Sequence, residues 1–162
     1  MDNKHKIDIS CEATPHHMIL NRKAIFQGGL RPHNYCLPVP KREEHRLALR
    51  NAATSGEPWF FLGTDTAPHI TNDKESDCGC AGIFSAVAAL ELYATVFDEE
   101  GSIDNLEKFA SFNGPAFYGL EPNVGNLALS REEWIVPDRI ALADGKEIKP
   151  FLAGKVLSWK VK

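Results

Sequence analysis

The sequence predicts an α/β fold. A short apolar run, Trp59-Phe-Phe-Leu62, lies between Gly56 and Gly63 and reads as a strand buried on both faces, the pattern of a parallel sheet. Upstream, residues 7–13 alternate apolar and polar positions (Ile7, Ile9, Cys11, Ala13) and predict another strand, and residues 41–55 between the two predict a helix. Strand, helix and strand in succession is the rhythm of parallel strands joined by right-handed crossovers. Polar groups follow the apolar run at once: Thr64, Asp65 and His69 fall at the carboxyl end of that strand, where α/β folds build their sites. A carboxylate there can bind a metal or move a proton, and an imidazole just beyond it can meet an anion. The same spacing suits Asp65 as a turn cap and His69 as a loop histidine.

Composition narrows the class. A chain of 162 residues with 43% hydrophobic and 25% charged content is that of an ordinary soluble globular domain. A net charge of −4 without a basic stripe argues against nucleic acid as the partner. No apolar run approaches the roughly 20 residues of a membrane helix, and no signal-peptide core follows the first residues. Cys11, Cys36, Cys78 and Cys80 form no disulfide framework and suit a reducing cytoplasm. Cys78-Gly79-Cys80 is too tightly spaced for a zinc finger.

In chain order, the first strand ends at Thr14-Pro15-His16-His17, with proline suited to the exit from a strand. The adjacent histidines have metal-ligand chemistry, but neighbours on a chain point in different directions, so at most one faces any given site. Residues 17–26 predict a short helix closed by Gly28-Gly29, and the proline-rich residues 30–40 a loop. The helix at residues 41–55 has Leu47, Leu49, Ala52 and Ala53 as its apolar part, Gly56 as its stop, and a solvated face of Lys41, Arg42, Glu43, Glu44, Arg46 and Arg50. The strongest helical periodicity is at residues 81–97, through Ile83, Val87, Leu90, Ala94 and Phe97. Residues 102–112 predict an amphipathic helix capped by Ser102 and broken by Asn113-Gly114-Pro115. From residue 121 onward short apolar segments are punctuated by Pro122, Pro137 and Pro150, which predicts extended segments or hairpins packed outside the α/β part. This divides the chain into residues 1–120 and residues 121–162.

Two confident strands cannot make a parallel sheet whose edges are paired and faces covered. An eight-unit β/α barrel takes about 250 residues. The sequence is therefore expected to be the end of a larger fold.

The longer motifs are recognisable. Leu30-Arg-Pro-His-Asn-Tyr-Cys-Leu-Pro38, Phe61-Leu-Gly-Thr-Asp-Thr-Ala-Pro-His69 and Lys74-Glu-Ser-Asp-Cys-Gly-Cys-Ala-Gly82 resemble the dihydroorotases, the homodimeric bacterial type in particular. Ala110-Ser-Phe-Asn-Gly-Pro115, Phe117-Tyr-Gly119 and Pro150-Phe-Leu-Ala-Gly154 extend the match over essentially the whole chain. The resemblance implies a cytoplasmic zinc hydrolase of the amidohydrolase superfamily, interconverting N-carbamoyl-L-aspartate and L-dihydroorotate in pyrimidine biosynthesis. It implies a (β/α)8 TIM barrel with a binuclear zinc centre, residues 7–13 being the seventh strand and residues 59–62 the eighth. Asp65 matches the family's zinc ligand and general base, and His69 a residue that holds the substrate carboxylate. Leu37 and Ala81 match positions whose backbone groups bind the substrate ring. The family's other metal ligands, and the arginine and asparagine on the carboxylate, lie upstream of all these motifs, so the isolated chain is expected to be an inactive C-terminal portion that needs the missing barrel half.

Two other readings stand beside this one. A partial barrel with open strand edges could be a non-catalytic module that associates with copies of itself, a homo-oligomer. A small metal-binding protein could use His16, His17, Asp65, His69 and the Cys78/Cys80 pair.

Overall fold

The computed structural model describes residues 9–162. Of the first predicted strand, Ile7 and Asp8 lie outside the described residues; the strand itself, β1, is Cys11–Ala13. It pairs in parallel with β2, Phe60–Leu62, Cys11 standing opposite Phe60 and Ala13 opposite Leu62. Between them run α1 (Pro15–Ile19), a 3₁₀ turn at Arg22–Ile25, another at Pro32–Asn34, and α2 (Glu43–Thr54).

The helix expected at residues 17–26 is split. Pro15, whose ring pre-sets a helical φ, takes the first position of α1, and the Thr14 hydroxyl accepts the His17 N–H as its cap. Asn21 then accepts the Lys23 N–H with its own side chain, which starts a separate turn and ends the helix. α2 keeps the predicted place but not the predicted faces. Leu47 is exposed, whereas Arg50 is buried and reaches Glu100 (2.6 Å) and Glu99 (2.7 Å). Those two carboxylates sit at the carboxyl end of α4 (Ala89–Glu99), where the helix dipole disfavours them, and the guanidinium offsets that charge.

After β2 comes α3 (Thr71–Lys74), then a 3₁₀ turn at Ala86–Ala88 that leads into α4. The helix predicted from residue 81 therefore begins eight residues later, at Ala89. Local backbone is captured by the preceding loop instead. Ile83 bridges Thr66 in parallel, and the Ser85 and Ala86 N–H groups both donate to Thr66 Oγ1 at 3.1 Å. Amides spent on a threonine cannot enter a helical ladder. The break predicted at Asn113 is also absent. A π-helical turn at Lys108–Phe112 runs directly into α5, Asn113–Tyr118, in which Pro115 lies in the first turn and needs no donor. The Asn113 amide donates to the carbonyls of Glu57 and Phe60, tying this element to β2.

The remaining chain forms an antiparallel pair, β3 (Leu129–Ile135) with β6 (Val156–Val161), and a short pair, β4 (Ile140–Ala141) with β5 (Glu147–Ile148). α4 packs between β6 and α1 and has core on both sides. One side holds Ala13, Met18, Ala53, Tyr93, Phe97 and Phe109, with the Phe109 ring 5.3 Å from Tyr93 and 5.1 Å from Phe97. The other holds Cys36, Ile83, Leu92, Val136, Phe151 and Leu157.

Tyr93 and His16 are among the polar groups buried in the described residues. The Tyr93 hydroxyl, fully buried, donates to the carbonyls of Ala13 (2.8 Å) and Gly63 (3.2 Å) and so holds the carboxyl ends of both parallel strands. His16 is also fully buried, packed against Phe151 and His17, and neither ring nitrogen has a partner among the described residues. Burial, and secondarily His17, push its pKa down to about 3.

Tyr93→Phe removes the donor from the buried Ala13 carbonyl and the part-buried Gly63 carbonyl and should lower unfolding stability by about 1–2 kcal/mol in a urea titration. His16 stays neutral in the folded chain and titrates near 6.5 when unfolded, so the unfolded state gains protons first as pH falls. Stability should drop from about pH 6.5 downward, by up to about 1.4 kcal/mol per unit. His16→Leu should flatten the part of that dependence between pH 6.5 and 5, before the carboxylates titrate.

Candidate functional site

The carboxyl ends of β1 and β2 open into a cleft of about 480 Å³ whose walls include Glu12, Thr14, His17, Pro38, Val39 and Asp65. Gly63, at the exit of β2, allows the strands to approach there: a Cβ on it would stand 2.5 Å from the Glu12 side chain. Asp65 follows in the left-handed region at φ 43, a conformation aspartate tolerates better than most residues. Its neighbours are pinned. The Thr64 carbonyl accepts from the Ser85 hydroxyl, and Thr66 Oγ1 receives two amides. The Asp65 side chain itself is exposed and has no hydrogen-bond or ion-pair partner among the described residues.

His17 shares the cleft with Asp65 but is already engaged. Its Nδ1 lies 2.6 Å from the Thr14 hydroxyl and its Nε2 2.7 Å from the Pro38 carbonyl. Nε2–H donating to the carbonyl and Nδ1 accepting from the hydroxyl satisfies both, and ties the loop at residues 30–40 to the end of β1. The neighbouring Cys36 thiol is raised to about 11 by burial and then by the Asp65 charge, with Lys74 opposing. It remains a protonated thiol, 3.6 Å from the Pro38 carbonyl.

The remaining sequence candidates meet on an adjacent loop cluster. The His69 Nε2 lies 3.1 Å from the Ala81 carbonyl, to which it donates. Gly82 is needed for this approach, because a Cβ there would stand 2.8 Å from the His69 ring. The Gly82 N–H donates to the Tyr35 carbonyl at 3.0 Å, which joins the Ala81 loop to the Leu37 loop. Leu37 is exposed, its bond to Pro38 is cis, and neither its N–H nor its carbonyl has a hydrogen-bond partner among the described residues; the Ala81 N–H has none either. Lys74, which no spacing argument singled out, is the residue that holds these loops together. Its ammonium is buried and donates to the carbonyls of Tyr35, Cys80 and Gly82. Burial lowers its pKa, a shift that the Cys36 and Cys80 thiols oppose.

Metal chemistry can be tested against these donors. The set His16, His17, Asp65, His69, Cys78 and Cys80 does not converge: His69 faces Ala81, and Cys78 is exposed on another loop. One trio, His16, His17 and Cys36, does bring donor atoms within 4.8 Å of one another. Both His17 nitrogens are engaged, by the Thr14 hydroxyl and the Pro38 carbonyl, and the Cys36 thiol reaches the same carbonyl, so two of the three donors are already hydrogen-bonded within the core. Zinc needs three or more protein ligands. Among the described residues Asp65 offers one free carboxylate in the cleft, which fits a single ligand position and does not close a zinc site.

No helix among the described residues is long and apolar enough to cross a membrane. Relatives of the chain include a dihydroorotase from Marinomonas sp. (strain MWYL1), 56% identical over 154 residues, with 95% of this chain and 45% of the relative covered. The mitochondrial dihydroorotase of Arabidopsis thaliana is 57% identical over 152 residues, covering 94% of this chain and 40% of the relative. The crystal structure of a Saccharomyces cerevisiae dihydroorotase in complex with 5-fluoroorotic acid superposes with a TM-score of 0.88 at 33% identity, over 99% of this chain and 45% of that one. A Campylobacter jejuni dihydroorotase structure gives a TM-score of 0.83, also at 33% identity, over 94% of this chain and 44% of that one. The chain thus spans somewhat less than half the length of the relatives it matches, and its architecture is that of part of their barrel. Matched over residues 4–157 by the model of the amidohydrolase family, the chain belongs to that family.

Proposed function

We propose that the chain is the C-terminal portion of a dihydroorotase, with β1 and β2 as the seventh and eighth barrel strands, residues 1–120 forming the last β/α units and residues 121–162 an extension packed on them. The observation that carries this reading is the Asp65 carboxylate. It has no partner among the described residues, stands at the carboxyl end of a parallel strand, and lies on a loop pinned on both sides, in a chain 56% identical to a dihydroorotase along 95% of its length.

The reaction is hydrolysis of a ring amide in L-dihydroorotate to N-carbamoyl-L-aspartate, and its reverse. Water adds to the carbonyl carbon, the ring C–N bond breaks, and a proton must pass from the water to the leaving nitrogen. Asp65 would carry that proton, since a carboxylate with no partner among the described residues accepts a proton without first breaking another bond. His69 keeps Nε2 on the Ala81 carbonyl, which leaves Nδ1 as the ring atom that would face a substrate carboxylate. The unpartnered backbone groups of Leu37 and Ala81 can meet the donors and acceptors of the ring, at little reorganisation because both loops are tied together. Asp65 would also be one ligand of a zinc centre completed by the rest of the barrel; zinc, when bound, polarises carbonyls and acidifies water.

Dihydroorotate ring opening, followed by ultraviolet absorbance, tests this. With zinc supplied, the 162-residue chain alone should show no turnover, and co-expression with the segment that completes the barrel should restore it. In that completed enzyme Asp65→Asn should reduce kcat by about 10²–10⁴-fold. Full activity of that variant would show that Asp65 does not carry the proton.

A further inference from the structure

The ammonium of Lys74 lies in an unusual setting. The residue is only 3% exposed, yet no carboxylate pairs with it among the described residues. A buried charge is tolerated only when its hydrogen-bonding capacity is filled. Each of its three N–H donors meets a backbone carbonyl: Tyr35 at 3.0 Å, Cys80 at 2.6 Å and Gly82 at 2.9 Å. The Tyr35 ring lies 5.7 Å from Nζ and adds a cation–π contact. Three carbonyl oxygens converging on one point repel one another unless a cation sits between them. A neutral side chain of the same length would leave that repulsion standing.

The three carbonyls come from two separate loops, and those loops carry Leu37 and Ala81. A peptide unit is planar, with its C=O and N–H pointing in opposite directions. Holding the Cys80 carbonyl therefore fixes the direction of the Ala81 N–H. The next peptide plane is held independently, by His69 on the Ala81 carbonyl and by the Gly82 N–H on Tyr35. On the other loop, the Tyr35 carbonyl is gripped two residues before Leu37 by both Lys74 and Gly82.

We propose that Lys74 is a positioning residue: its ammonium staples the loop of Tyr35 to Leu37 to the loop of Cys80 to Gly82 and aims the Ala81 N–H into the site. The role rests on the reading that Leu37 and Ala81 meet the substrate ring. Lys74 touches neither the cleft nor Asp65, so its loss acts on binding more than on proton transfer.

Two measurements test this. In the wild-type chain the Lys74 ammonium should give a proton–nitrogen signal protected from exchange, with couplings across hydrogen bonds to the carbonyl carbons of Tyr35, Cys80 and Gly82. A rapidly exchanging ammonium without those couplings overturns the proposal, and this holds even if variants at Lys74 do not fold. In Lys74→Met, exchange of the Gly82 amide should accelerate about tenfold or more while the Val96 and Phe97 amides of α4 keep their protection. In the completed barrel the same variant should raise KM for dihydroorotate about tenfold with kcat within about threefold. Faster Gly82 exchange with an unchanged KM would overturn the positioning role. Asp65→Asn in the same preparation separates the two ideas: its inactivity keeps the site reading intact whatever Lys74→Met shows, and its full activity removes that reading.

Discussion

Everything at this site depends on keeping two very short strands side by side. β1 and β2 have three residues each, and a ladder of that length supplies few hydrogen bonds. A pair of strands is marginal unless something packs on it. α4 provides that support: its aromatic side packs beneath the pair, and the Tyr93 hydroxyl reaches the last carbonyls of both strands. The same phenol is kept neutral, its pKa pushed up by burial, so it stays a donor. The opening between strand ends, where Asp65 stands, is therefore set by a helix almost 30 residues further along the chain.

Several carboxylates of the scaffold are held by opposite charges, and Asp65 is not one of them among the described residues. Arg50 neutralises the carboxyl end of α4, and Glu43, half-exposed on α2, is held near 2 by Arg46 and Asn21. On the β3–β6 ribbon, Glu132 is likewise held down by Lys160 and Lys162. The loop that carries Asp65 is nonetheless anchored on both sides, through Thr64 and Thr66. Rigid backbone with an unengaged polar tip is how a site is prepared for something that arrives from outside.

The histidines divide along the same line. His17 is consumed by holding a loop to a strand end, His16 by filling core, and His69 by fixing Ala81 while keeping one nitrogen open. Equal chemistry at three positions thus has three different uses, decided by what each ring can reach.

The sequence by itself determined the parallel β-α-β order, the place of Asp65 at a strand end, and the closeness of the loop motifs to dihydroorotases, because periodicity, turn residues and motif spacing are local properties. It also carried α2 and the extended character of the tail. Only the tertiary structure decided where α4 begins, since Ser85 and Ala86 give their amides to Thr66 from across a loop. Only it decided that Arg50 is buried rather than solvated, that Asn113 continues a helix, and that Lys74 clamps two loops. Each of these depends on a partner distant in sequence. Spacing shows which groups are present, while burial and pairing, which arise only when the chain closes on itself, decide which of them remain free to act.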